Sequence, residues 1–217
     1  DEAASLFKEV FGFGNLSFKY QLFKETVKHF QVDERWFMQG YNDREQKEKK
    51  EVALNMMSRR EAMIHVSEDI IKPKEGLDYF GRLVAEEVED GKHYAVADGG
   101  FVEELEPLIE KVGADNIVIV QLTRDGYDYS TDSRRYFNGN LIKEYTINFE
   151  TKIDKAYVLS EEMDIKTYRV HNNGAVRNFH STLIDIYNEL NEEYNLDYIN
   201  GQTEESTEAE HNQSEDV

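Results

Sequence analysis

Cysteine is absent from the 217 residues, which removes disulfides, thiolate zinc sites and cysteine nucleophiles together. Basic charge is scarce as well. Only 25 Lys and Arg stand against 45 Asp and Glu, a formal charge of −20. An autonomous nucleic-acid-binding surface needs a basic face to displace counterions from phosphates, so direct nucleic-acid binding is not expected. No apolar run approaches the roughly 20 residues of a membrane span, so no membrane association is expected either. No charged-then-apolar stretch opens the sequence; with the missing cysteines this points to a reducing, cytoplasmic setting. No phosphate loop of the form Gly-x-x-x-x-Gly-Lys-Ser/Thr occurs, since Phe11-Gly-Phe-Gly14 has glycines but no lysine to reach a phosphate. No nucleophile elbow suggests a Ser-His-Asp arrangement, and the six histidines show no metal-ligand spacing.

What the chain does contain is an alternation of helical and strand-like segments. Ala4, Phe7, Val10 and Phe11 recur at three and four, which predicts a helix. Leu16, Phe18 and Tyr20 alternate as a short strand would, and Leu22, Phe23, Thr26, Val27 and Phe30 predict a second helix. The mixed-charge run 42–51 reads as a solvated helix face or loop. Val52, Met56, Met63 and Val66 continue as a helix whose methionines fill core. His93–Ala97 and Asn116–Leu122 are mostly apolar strands flanking a helix through Val102, Leu105, Leu108, Ile109 and Val112. Apolar strands alternating with helices predict a parallel sheet covered on both faces, with a right-handed crossover between these two. Further strands are expected at Tyr145–Phe149, Lys155–Leu159 and Thr167–His171. A closing helix is expected through Val176, Phe179, Leu183, Ile186, Tyr187 and Leu190. The expected fold is a three-layer α/β domain over residues 1–200. From Gly201 onward there are six acids and no Lys or Arg, an acidic tail read as disordered. The rest of the chain still carries −14, the total less the tail's six charges.

In open α/β sheets, ligands bind beyond the carboxyl ends of parallel strands. Asp98 follows such a strand and precedes Gly99 and Gly100, which let backbone approach closely. An acid there holds a magnesium ion through water or accepts from a sugar hydroxyl; it also serves equally well as a helix N-cap or turn residue. Arg124 ends the next apolar strand, and Arg134 and Arg135 sit in a polar loop beside Asp132. Guanidinium groups at these places suit phosphate oxygens, or act as surface solubility charges.

The order of segments resembles the bacteriophage deoxynucleoside monophosphate kinases. The resemblance rests on Ser58-Arg-Arg-Glu-Ala-Met-Ile-His-Val-Ser-Glu-Asp-Ile-Ile-Lys-Pro-Lys-Glu-Gly-Leu-Asp-Tyr-Phe-Gly-Arg82, on Tyr94-Ala-Val-Ala-Asp-Gly-Gly-Phe-Val-Glu-Glu104, on Tyr20-Gln-Leu-Phe-Lys24 and on His171-Asn-Asn-Gly-Ala175. It spans nearly all of residues 1–195. It implies a P-loop-kinase-like domain that transfers the γ-phosphoryl group of ATP to a nucleoside monophosphate, with Mg²⁺ spreading the charge, in the cytoplasm of an infected bacterium. It implies substrate-binding roles for Lys24, Arg60, Asp69, Lys72, Phe80 and Glu104, with Arg60 on the acceptor phosphate and Phe80 stacked near the base. Catalytic roles fall to Asp98, Arg124, Arg134 and Arg135, with Asp98 also holding the metal through water and residues 125–165 forming the lid. A homodimer is left open. Gly100 stands where the family has arginine, Ile64 where it has glutamine, and Ser67-Glu68-Asp69 where it has Gly-Thr-Asp. Asp1 aligns just after the family's phosphate-loop Gly-Lys, so a first strand and phosphate loop are expected upstream. A non-catalytic, kinase-like protein that binds a partner through its acidic surface is the other reading these departures support.

Overall fold

Helix α1 forms over Glu2–Phe11 and turns Ala4, Leu6 and Phe7 inward, as the apolar spacing predicts. In the computed structural model, residues 2–126 and 165–196 are described. Arg134, Arg135, the strand candidates at 145–149 and 155–159, and the acidic tail lie outside them, as does nearly all of the expected lid.

Strand β1 is only Gly14–Leu16, and helix α2 already begins at Phe18 and runs to Phe30. The expected strand through Tyr20 is therefore corrected. Ser17 explains why: its extended backbone and its Oγ, which accepts from Tyr20 N at 3.0 Å, make it an N-cap that ends the strand. Helices α3 (Glu34–Asn42) and α4 (Arg44–Glu48) follow, capped by Asp33 and Asp43. The mixed-charge run is thus a short, solvated helix.

The helix expected through Val52–Val66 is interrupted. A 3₁₀ turn at Val52–Leu54 leads into Asn55 and Met56, both at positive φ, and α5 (Arg59–His65) starts afresh. Its start is a capping box in which Ser58 and Glu61 satisfy each other's backbone amides. Helix α5 continues through a π-helical stretch, Val66–Ile71, into α6 (Lys72–Glu75). Pro73 accounts for the widening, because it lacks the N–H for the i−4 carbonyl and its ring crowds that carbonyl. Lys72 N reaches Ser67 O instead, one residue further back than in an α-helix.

Helix α7 (Tyr79–Glu86) precedes strand β2 (Tyr94–Val96). The helix expected from Val102 begins as a 3₁₀ turn at Val102–Glu104 and becomes α8 only at Glu106–Val112. Pro107, with no N–H to donate, belongs to the first turn of that helix. Strands β3 (Val118–Thr123) and β4 (Lys166–His171) and the long helix α9 (Val176–Tyr194) complete the described chain.

All strand pairing is parallel, but the single sheet expected is two pairs among the described residues. Strand β1 pairs with β2, Gly14 opposite Tyr94, and β3 pairs with β4, Val118 opposite Lys166. Strands β2 and β3, expected as partners across a crossover, are not hydrogen-bonded to each other. Helices cover both faces of the first pair. Ala95 packs into the cluster formed by α1 and α9, while Tyr94 packs with Phe80, Val84 and Leu108 of α7 and α8 on the other side. The α1–α9 cluster also takes Val118, Val120 and Leu122 of β3, so one helical layer backs both pairs. Phe11 stacks on Tyr187 within it, ring centroids 3.6 Å apart. The architecture is mixed α/β with parallel strands. Among the described residues, no helix is long and apolar enough to cross a membrane.

Candidate functional site

The first turn of α2 is held by one carboxylate from far along the chain. Asp98, just past β2, accepts from Ser17 Oγ at 2.7 Å, Phe18 N at 3.2 Å and Lys19 N at 2.7 Å. With Tyr20 N bonded to Ser17, the leading amides of the helix are all satisfied. The negative charge also sits at the positive end of the helix dipole. Asp98 is thus a helix cap, the second of the two roles expected at its position, and one that spans 80 residues of sequence. These donors take three of the roughly four lone-pair directions of the carboxylate, and no group of three acids or histidines able to hold a metal ion occurs among the described residues. These residues do not fit the water-mediated magnesium site expected at Asp98.

What Asp98 positions is a cleft of about 350 Å³ beyond the carboxyl end of β1. Asn15 and Ser17 form its floor, Lys19, Tyr20 and Phe23 of α2 one wall, and Met38, Tyr41 and Asn42 of α3 another; Met63 and Glu87 complete it. The Tyr20 and Phe23 rings are stacked, 6.1 Å between centroids and 8° from parallel. Phe23 is itself fixed edge-on by buried Phe37 at 5.3 Å. Lys24 lies 4.7 Å over the Tyr20 ring and donates to Gln21 Oε1 at 3.2 Å and to Glu87 Oε1 at 3.1 Å. Gln21 Nε2 is buried and makes no hydrogen bond by strict geometry, yet its amide lies beside Glu87. That amide, followed by the Lys24 ammonium, holds the Glu87 carboxyl below its ordinary range, so Glu87 is ionised at neutral pH. The cleft joins an aromatic wall to a compensated carboxylate. It suits a planar, partly polar ligand.

Three of the expected site residues meet behind this cleft. The Lys72 side chain is 8 % exposed, its ammonium 2.6 Å from Glu68 Oε1 and 4.3 Å over the Phe101 ring. Glu104 is 5 % exposed, and none of the described hydrogen bonds reaches its side chain. Burial pushes its carboxyl up to about 8; Lys72 pulls the other way, while Asp98 adds repulsion. Lys72, Glu104 and Asp98 are therefore neighbours, and Asp98 connects them to the cleft through Ser17 and Lys19.

The remaining expectations scatter. Lys24 stands at the cleft rim through Glu87. Phe80 is 2 % exposed in the core with Leu16, Phe18 and Val84, so its expected stacking on a base is corrected: no face of the ring is open to a ligand. Arg60 is exposed on α5, 3.5 Å from Glu48, and does not line the cleft. Its neighbour Arg59 is the buried one, its guanidinium 4.2 Å over Trp36 and its Nη1 donating to Gln46 O at 3.2 Å. Asp69 pairs with His65 at 2.7 Å on an outer face. Arg124 is exposed just past the end of β3.

Tyr41, Asn42, Met63 and Glu87 were not singled out as cleft residues by the sequence. Periodicity carried part of the signal: Arg59, Ala62, Met63 and Val66 recur on one face of α5, which is the face it buries. No protein-family model matches the chain, and neither a curated protein nor a solved structure matches it significantly.

Proposed function

We propose that the protein is a phosphotransferase that moves the γ-phosphoryl group of ATP to a nucleoside or deoxynucleoside monophosphate. The observation that carries this reading is the cleft at the carboxyl end of a parallel strand, walled by the exposed Tyr20 ring on buried Phe23 and lined by Lys19. Aromatic rings accept the face of a nucleobase, and an ammonium group donates hydrogen bonds to phosphate oxygens. The order of sequence segments described above supplies the donor and the reaction. In that reaction the bond from the γ-phosphorus to its bridging oxygen breaks, ADP leaves, and a phosphate oxygen of the acceptor takes the phosphoryl group. Transfer of this kind rests on positioning and on charge stabilisation rather than on a protein nucleophile. Asp98 acts in it as a positioning residue that fixes the first turn of α2 and hence Lys19 and Tyr20.

The test is ADP release by the full-length protein with ATP, Mg²⁺ and each of the monophosphates in turn. Release that depends on the acceptor is the expected result, and Tyr20→Ala should raise KM for the acceptor more than it lowers kcat. Absence of release above background for every acceptor rejects the enzyme. Tight monophosphate binding without turnover would place the protein between the enzyme and the non-catalytic, partner-binding reading.

A further inference from the structure

We propose that Glu87 makes the cleft selective for a guanine base, a specificity that rests on reading the cleft as the acceptor nucleotide site. Glu87 faces the cleft directly and remains ionised there because Gln21 and Lys24 flank it. An ionised carboxylate is an acceptor only, with two oxygens and about four lone-pair directions. Lys24 occupies one of those directions on Oε1 and the Gln21 amide takes a second, which leaves two of the four for a ligand. The ion pair also cancels the local charge, so the carboxylate does not repel the phosphate that the same ligand carries. What such a group selects is a ligand edge with N–H donors side by side.

Among the nucleobases, guanine presents two adjacent donors on its pairing edge, N1–H and the 2-amino group. Adenine and cytosine set a single amino group next to an acceptor nitrogen, and thymine sets N3–H between two carbonyls. Each of these would bring an oxygen or nitrogen lone pair against the Glu87 oxygens. A second polar group of the lining is consistent with a purine that carries an oxygen at position 6. Asn42 lines the same cleft, and its amide N–H₂ is not engaged by any described hydrogen bond. Stacked Tyr20 and Phe23 provide the apolar wall that excludes water from these contacts and strengthens them.

Calorimetric titration with dGMP, dIMP and dAMP separates the possibilities, because dIMP differs from dGMP only by the missing 2-amino group. The native chain should bind dGMP roughly tenfold more tightly than dIMP, the discrimination of a good bidentate contact. Glu87→Gln should abolish that preference while still binding dIMP. Equal affinity for dGMP and dIMP in the native chain overturns the selectivity and leaves the cleft assignment intact, as does a Glu87→Gln variant that retains the preference. Failure of all three nucleotides to bind overturns both. The comparison of dGMP with dIMP needs no variant, so a folding defect in Glu87→Gln does not remove the test.

Discussion

Glu104 is the residue whose environment departs furthest from what its side chain prefers. A carboxyl that titrates near 4.5 in the unfolded chain and near 8 in the folded one binds more protons folded than unfolded between those values. Stability contributed by the protonated form is complete below about 4.5 and is lost as pH rises through about 8. His93 works in the opposite sense, since burial lowers its pKa and costs stability only as pH falls below its ordinary 6.5. The interval from pH 7 to pH 9 therefore isolates the carboxyl. Urea unfolding should show stability falling by on the order of 1 kcal/mol per pH unit from pH 7 to about 8 and levelling off above it, and Glu104→Gln should flatten that slope. An unchanged slope in the variant would show that the group does not titrate there. At this scale the sequence was half legible. The resemblance over Tyr94–Glu104 gave site roles to both Asp98 and Glu104, and the two are neighbours. Nothing local to Asp98 showed that its partners would be Ser17 and the first amides of α2, because that contact exists only once β1 and β2 are side by side. Phe80 and Arg60 failed for a related reason: the resemblance matched residue types, while burial is decided by which helix face meets the core.

At the scale of elements, the cluster behind the cleft depends on how closely α7 approaches the 3₁₀ turn at Val102–Glu104. Gly81 is where they meet, and a Cβ built there would overlap the Glu104 backbone. That obstacle is main chain, so it cannot swing aside as a side-chain tip would. Gly81→Ala should lower stability by roughly 1–3 kcal/mol, the usual cost of overpacking, read from the urea midpoint. Loss of less than about 0.5 kcal/mol would mean the two elements separate freely. Element type was well marked in the sequence where periodicity was long. Helices α1 and α9 and strands β3 and β4 lie where apolar spacing placed them. The misses are at short elements, where one cap or one proline outweighs the pattern: Ser17 stops β1, Ser58 starts α5, and Pro107 delays α8.

For the whole molecule, charge of one sign dominates, −20 over the chain. Many exposed acids find a local cation, such as Glu89 with Lys92 and Asp78 with Arg82, but such surface pairs contribute little each. The surplus has no cation to meet and opposes compaction. Raising NaCl from about 0.02 M to about 0.3 M shortens the Debye length severalfold. The melting temperature should therefore rise with salt, where a protein held chiefly by surface ion pairs would lose stability. Composition made this property legible before any fold was considered.

The wide turn that Pro73 imposes between α5 and α6 gives the cleft's rear support a dependence on backbone phase. Each residue of a regular helix advances about 100° around its axis. Lys72 meets Phe101 because Val66–Ile71 has absorbed a residue that a tighter coil would have turned outward, while Glu68 lies four residues back on the same face. Variation within this stretch is thereby channelled: exchanges of side chain leave the bearing of Lys72 intact, whereas a one-residue deletion would rotate it away from Phe101.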